Sequence, residues 1–332
     1  MTTKTGVIET SATLYAYTNE YISRQYGFED LLREVARRGQ GPGVEVVGFQ
    51  SIRGFPDVDD AFAERFRELI AELGLRPTSL AINSDRFLKP GQPVADDVLA
   101  EYHRRQMRAA VKLGFPILRY QFATPPSLVR ELAPYAEDLG LKLGLEVHAP
   151  AHAHHPLVLA YREVYEQVNS PALGWIPDFG GTAERLPQSF LDASRARGVP
   201  EGLIALLLEI WPEPGESHVR AGKLREIATR DGHASEHIQA VSLIFFILAK
   251  NDPRGWSELV DRTIHIHGKF YGVDADGREE AIDYDTILPI FRDGGFSGTI
   301  CSEWEGHAYM VADAFDKVAA HQAMCRRILD AA

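Results

Sequence analysis

The run Leu143-Gly144-Leu145-Glu146-Val147-His148 decides the fold, together with three later runs of the same kind: Leu173-Gly174-Trp175-Ile176-Pro177-Asp178, Thr263-Ile264-His265-Ile266-His267-Gly268-Lys269 and Thr299-Ile300-Cys301-Ser302-Glu303-Trp304-Glu305. Each opens on apolar or β-branched residues and closes on Glu, Asp or His. Side chains alternate across a strand, so Glu146 and His148 share one face. The same spacing aligns His265, His267 and Lys269, and aligns Glu303 with Glu305.

Reading outward, strands are predicted over Val7–Tyr15, Gly43–Phe49, Pro77–Asn83, Ile117–Phe122, Lys142–His148, Leu173–Gly180, Thr263–Phe270 and Gly298–Glu305. Between them lie runs with apolar residues at helical spacing. These are Phe28–Arg38, Asp59–Leu73, Asp96–Leu113 and Asp285–Phe291, with Val311–Ala331 closing the chain. Acids open several of them, and Gly74 and Gly114 follow two, as helix ends favour. Alternating strands and helices imply a parallel sheet, and eight such units imply an α/β (β/α)8 barrel, a TIM barrel, as one domain over 1–332. No GxGxxG follows the first strand, which disfavours a doubly wound dinucleotide fold. The stretch of about 182–261 is too long for one loop, so a helical insertion between strands six and seven is expected. Glu201–Trp211 and Ser235–Lys250 are its candidate buried helices.

The chain has 332 residues, 45% apolar and 25% charged, enough to fill a large core. A net charge of −12 argues against nucleic-acid binding, which needs a basic surface. The two cysteines, Cys301 and Cys325, form no CxxC pair, and that usage suits a reducing compartment. Met1–Gly6 is not an apolar leader, and Val241–Ala249, the longest apolar run, is too short to span a bilayer. A cytoplasmic enzyme without membrane association is therefore expected.

Barrel active sites lie at the C-terminal ends of the strands, where these acids and histidines fall. A single strand-end acid is as often a cap or an ion-pair partner. Four consecutive strands ending this way make a metal the better account, because Arg is scarce on these four strands. Oxygen and nitrogen donors without thiolate suit Mn²⁺ first, with Mg²⁺, Co²⁺ or Zn²⁺ as alternatives. His152, His154 and His155 read as loop residues at the rim of the pocket. Trp175 and Trp304 point away from the acids and read as packing against outer helices.

LGLEVH, IPDFGG, HIHGK and SEWEGH, in this order on these strands, resemble the xylose isomerase-like barrel superfamily of sugar isomerases and epimerases. The resemblance implies metal ligation by Glu146, Asp178, His267 and Glu303, with Glu305 as fallback for Glu303 and His265 for His267. Many members carry a His three residues after the strand-six Asp, where this chain has Gly181. That departure, His148 beside Glu146 and the long insertion resemble a narrower branch, the large (α) subunit of the bacterial C-glycoside deglycosidases. This likeness implies a lyase that cleaves the carbon–carbon bond of 3-oxo-C-glucosides, working in a hetero-oligomer with a small β subunit.

Oxidation at sugar C3 acidifies the C2 proton, and its removal expels the aryl group from C1 by β-elimination. His148 is the candidate base, since imidazole titrates near working pH; its bland alternative is to orient Glu146. Lys269, Glu305 and His265 are candidate substrate contacts, although a solvated lysine and a satisfied barrel histidine would look the same. The main competitor is a metal-dependent sugar isomerase/epimerase acting on ketoses. An apurinic-site nuclease and a non-catalytic barrel are weaker ones.

Overall fold

The computed structural model describes residues 5–86 and 91–331. Met1–Lys4, part of the leader reading above, lie outside the described residues. Eight strands among the described residues form one sheet: β1 (Ile8–Thr13), β2 (Gly43–Val47), β3 (Arg76–Ala81), β4 (Ile117–Tyr120), β5 (Lys142–Val147), β6 (Leu173–Pro177), β7 (Ile266–Phe270) and β8 (Gly298–Trp304). Their order is β6-β5-β4-β3-β2-β1-β8-β7, and every pairing is parallel.

The ring closes between β6 and β7 through single bridges, Trp175 with Thr263 and Asp178 with His267. At this seam the Ile264 N–H donates to the Trp175 carbonyl at 3.0 Å. Gly174 allows the close approach: a Cβ there would lie 2.5 Å from Ile264 Cγ2 and 2.7 Å from the Arg262 carbonyl oxygen. The observed β7 begins three residues later than predicted, because Val260–Arg262 forms a 3₁₀ turn that delivers the chain to the seam.

Helices cover the outside at Phe28–Arg37, Asp60–Glu72, Asp96–Leu113, Pro126–Asp138, Pro156–Val168, Tyr284–Asp293 and Ala314–Asp330. Asp59, Asp283 and Asp313 each accept a backbone N–H of the helix that follows, as an N-cap carboxylate should. Both faces of the strands are buried, which explains their apolar runs. Trp175 stacks on Tyr165 with centroids 4.3 Å apart, and Trp304 Nε1 donates to the Tyr271 carbonyl at 3.0 Å. Trp175 therefore packs against an outer helix, as expected, whereas Trp304 is buried against the strand-end segments at Tyr271 and His307.

Between β6 and β7 run helices at Gln188–Ala196, Glu201–Ile210, Ser217–Arg230, Ser235–Ser242 and Ile244–Ile247. The expected single helix Ser235–Lys250 is thus two, and the chain turns extended at Leu248. The extended segment is pinned to the end of β6: Ala249 donates to Gly180 at 2.9 Å, and Ala183 donates to Ala249 at 2.8 Å. No helix among the described residues is long and apolar enough to cross a membrane.

The C-terminal helix meets β7 and β8 through His321, which stacks on Phe270 at 4.1 Å and bonds Ser302 Oγ through Nδ1 at 2.9 Å. Burial lowers the His321 pKa to about 3. The unfolded value is about 6.5, so between these values the unfolded chain binds the extra proton. Stability is full above the unfolded pKa and falls as pH drops toward the folded one. Urea unfolding should show about 2 kcal/mol of this loss between pH 7 and pH 5. The loss attributed to this group should be absent in His321→Gln; an unchanged pH dependence in that variant would refute the assignment.

Candidate active site

The centre of the barrel mouth is the imidazole of His267, on β7. Its Nδ1 lies 2.7 Å from Glu146 Oε1 and 3.2 Å from Glu303 Oε2. Its Nε2 lies 2.9 Å from Glu45 Oε2, on β2. All four side chains are buried. Burial opposes the protonated ring, but Glu45, Glu303 and Glu146 outweigh it and raise its pKa well above the ordinary value. Burial likewise pushes Glu45 up, and the facing imidazoles of His267 and His265 reverse this and hold it well below.

Glu146, Asp178, His267 and Glu303, named together from the sequence, converge: each offers a ligand atom within 4.8 Å of all the others. Glu45, His265 and His267 make a second such group, on the other side of the His267 ring. The first group fits a divalent cation on two observations. Asp178 Oδ2 and Glu303 Oε2 are buried without a hydrogen bond, each left with an unused lone pair. The donors are three carboxylates and one imidazole, a hard oxygen and nitrogen set. Glu45 holds Nε2–H, which leaves Nδ1 to face a cation, so binding would displace the Nδ1 proton.

Asp178 ends β6. Its Oδ1 accepts from Gly180 N–H at 2.8 Å, and its Oδ2 lies 2.9 Å from Lys269 Nζ, at ion-pair distance but without hydrogen-bond alignment. Burial raises the Asp178 pKa, partly offset by Lys269 and His148. Lys269 is 1% exposed, so the solvated alternative is corrected: its Nζ also reaches His148 Nε2 at 2.9 Å and lies 3.7 Å from Glu305 Oε2. His148 Nδ1 donates to the Ala149 carbonyl at 2.6 Å, which places the lone pair on Nε2.

A cavity of about 200 Å³ opens onto this group, and its walls include Tyr15, Arg119, Glu146, His148, Lys269 and Glu305. His265 is not on that wall. It lies fully buried beneath His267, with Nδ1 2.7 Å from Thr299 Oγ1 and Nε2 3.4 Å from Glu45, too deep to touch a substrate in the cavity. The substrate-contact expectation for His265 is corrected accordingly. His152 and His154 line a separate rim cavity of about 470 Å³.

Four residues of this site were missed in the sequence: Glu45, Arg119, Gln121 and Tyr15. Arg119 NH1, from β4, lies 3.1 Å from Glu146 Oε2, and Gln121 Nε2 donates to the same oxygen at 2.6 Å. The count of arginines on the last four strands therefore overlooked one neutralising cation, supplied from the neighbouring strand. The signal was present in Gly43-Val44-Glu45-Val46-Val47 and Ile117-Leu118-Arg119-Tyr120, where a charge interrupts an apolar strand.

Comparison with known proteins places the chain in a family. Residues 32–328 match the family described as xylose isomerase-like TIM barrel. The 3'-dehydrocarminate deglycosidase alpha subunit of a Microbacterium species is 37% identical, over 95% of this chain and 94% of that protein. The C-glycoside deglycosidase alpha subunit of Microbacterium trichothecenolyticum is 39% identical, over 96% of this chain and 90% of that protein. Among solved structures, the zinc-bound IOLI protein shares the fold, with TM-score 0.57 and 13% identity over 97% of this chain and 98% of that one.

Glu45 is not on the wall of the cavity of about 200 Å³, yet it holds the imidazole through Nε2. Glu45→Gln should weaken divalent-cation binding about 10–100-fold with the fold intact. Titration calorimetry checks this, and wild-type affinity in the variant would show that His267 is oriented by other contacts.

Proposed function

Because this chain belongs to the xylose isomerase-like TIM barrel family and, within it, to the C-glycoside deglycosidase alpha subunits, we propose that it is the metal-dependent large subunit of a lyase that releases aromatic aglycones from 3-oxo-C-glucosides. The observation that carries the reading is the convergence of Glu146, Asp178, His267 and Glu303 on one point, with the His148–Lys269 pair on the same cavity wall. A divalent cation held there, Mn²⁺ first by donor chemistry, supplies Lewis-acid polarisation of the C3 carbonyl.

The side chains of this chain do the rest. His148 Nε2 carries the lone pair that takes the C2 proton, its tautomer set by the bond from Nδ1 to Ala149. Lys269, held between Asp178 and His148, has ammonium hydrogens that can turn to a sugar oxygen and so free Nε2. Arg119 and Gln121 hold Glu146 in place. The cavity, about 200 Å³, is smaller than the ~300–1,000 Å³ common for drug-sized ligands, so it suits one sugar ring with the aromatic group toward the rim.

The relatives are named alpha subunits, which supports assembly with a small second subunit. Two free, buried cysteines support a reducing, cytoplasmic location.

The test incubates the Mn²⁺-loaded chain, alone and with any small protein encoded beside it, with a 3-oxo-C-glucoside and separately with free ketohexoses. Aglycone release should vanish on chelation, return with Mn²⁺, and fall about 10²–10⁴-fold in His148→Ala. Absence of release, with metal-dependent interconversion of ketoses, would instead identify a sugar epimerase.

A further inference from the structure

Elimination of an aryl group from C1 needs two proton transfers. A base removes the C2 proton, and the electron pair of the broken C1–C bond must be met by a proton on the departing ring carbon. His148 accounts for the first. The structure assigns the second to Tyr15, whose hydroxyl is positioned by Glu305; this rests on the lyase reading above.

Tyr15 and His148 both line the cavity. Tyr15 follows β1 and His148 follows β5, half the ring apart in an eight-stranded barrel, so they face a bound ligand from opposite sides. The Tyr15 ring is fixed edge-on against His307, with centroids 4.6 Å apart at 88°. His307 is itself held by a bond from Nδ1 to the Trp304 carbonyl at 2.7 Å. The Tyr15 hydroxyl donates to Glu305 Oε1 at 3.3 Å. The other oxygen of Glu305 lies 3.7 Å from Lys269 Nζ, and Lys269 Nζ lies 2.9 Å from His148 Nε2. Lys269 and Glu305 thus line the wall between base and acid. Burial first, then Glu305 and Glu303, raise the Tyr15 pKa, so the hydroxyl enters the reaction protonated.

The step balances. His148 takes H⁺ from C2, and the C2–H electrons become the C1=C2 double bond. The C1–aryl pair leaves with the ring carbon, which takes H⁺ from Tyr15. The products are an unsaturated 1,5-anhydro ketose and the free arene. After the products leave, solvent takes the proton from His148 and returns one to the phenolate.

The experiment separates the two transfers. The Mn²⁺-loaded complex is incubated with a 3-oxo-C-glucoside in D₂O; NMR follows C2–H exchange and chromatography follows aglycone release. In Tyr15→Phe, release should fall about 10²-fold or more while C2–H exchange persists. Persistent exchange also shows that the variant is folded and loaded. Release at the wild-type rate in Tyr15→Phe, or equal loss of exchange and release with Mn²⁺ binding intact, overturns the assignment. If wild type itself neither exchanges C2–H nor releases aglycone, the lyase reading fails, and the assignment with it.

Discussion

The imidazole of His267, buried between Glu45 on one side and Glu146 and Glu303 on the other, constrains everything around it. Charges taken out of water must be matched by partners in good geometry, or folding is penalised by several kcal/mol per ion. Here the partners come from β2, β5 and β8, with Arg119 added from β4 and Asp178 and Lys269 from the adjoining β6 and β7. Such a set exists only while the strands hold their register: Asp178 opposite His267, Lys269 opposite Glu303. A slip of one residue would turn each of these side chains to the other face.

The seam between β6 and β7 is the part of the barrel with the fewest ladder bonds, and it carries Asp178, His267 and Lys269. Three features hold it. Gly174 lets Ile264 and the Arg262 carbonyl come close. The extended end of the long connection bonds back to Gly180 and Ala183. Trp256 buries its indole beside the end of β6 and donates Nε1–H to Thr182 Oγ1 at 3.0 Å. The connection between β6 and β7 is therefore bound to the framework that places the reactive side chains.

In the proposed chemistry, the two ends of the cavity have separate work. The carboxylates with His267 form the polar end, where a carbonyl oxygen would be held. His148 and Tyr15 stand across the sugar from one another, and Lys269 with Glu305 spans the wall between them. Lys269 is the hinge of the arrangement: a buried ammonium with Asp178, His148 and Glu305 as neighbours stays charged and ready to donate.

The strands, their parallel order and the residues that end β5 to β8 were legible from the chain alone. Alternation along a strand is local, and so is the rule that barrel chemistry sits at strand ends. The strand-end acids and histidines were legible because each interrupts or ends an apolar run; that Glu146, Asp178, His267 and Glu303 form the ligand set among them was what the family resemblance implied. Glu45 and Arg119 interrupt such runs too, but their partners lie 222 and 27 residues away, and no local pattern shows that a charge on β2 reaches a ring on β7. Tyr15 carried no signal, since a tyrosine after an apolar strand is ordinary; only closure of the ring puts its hydroxyl against Glu305. His265 and His267 share a face by spacing, and the tertiary structure alone decided that one is sunk beside Thr299 while the other meets the carboxylates. Periodicity belongs to the sequence because it arises between neighbours along the chain. Depth in the barrel and charge pairing across it belong to the fold, because they depend on which distant strands closure brings together.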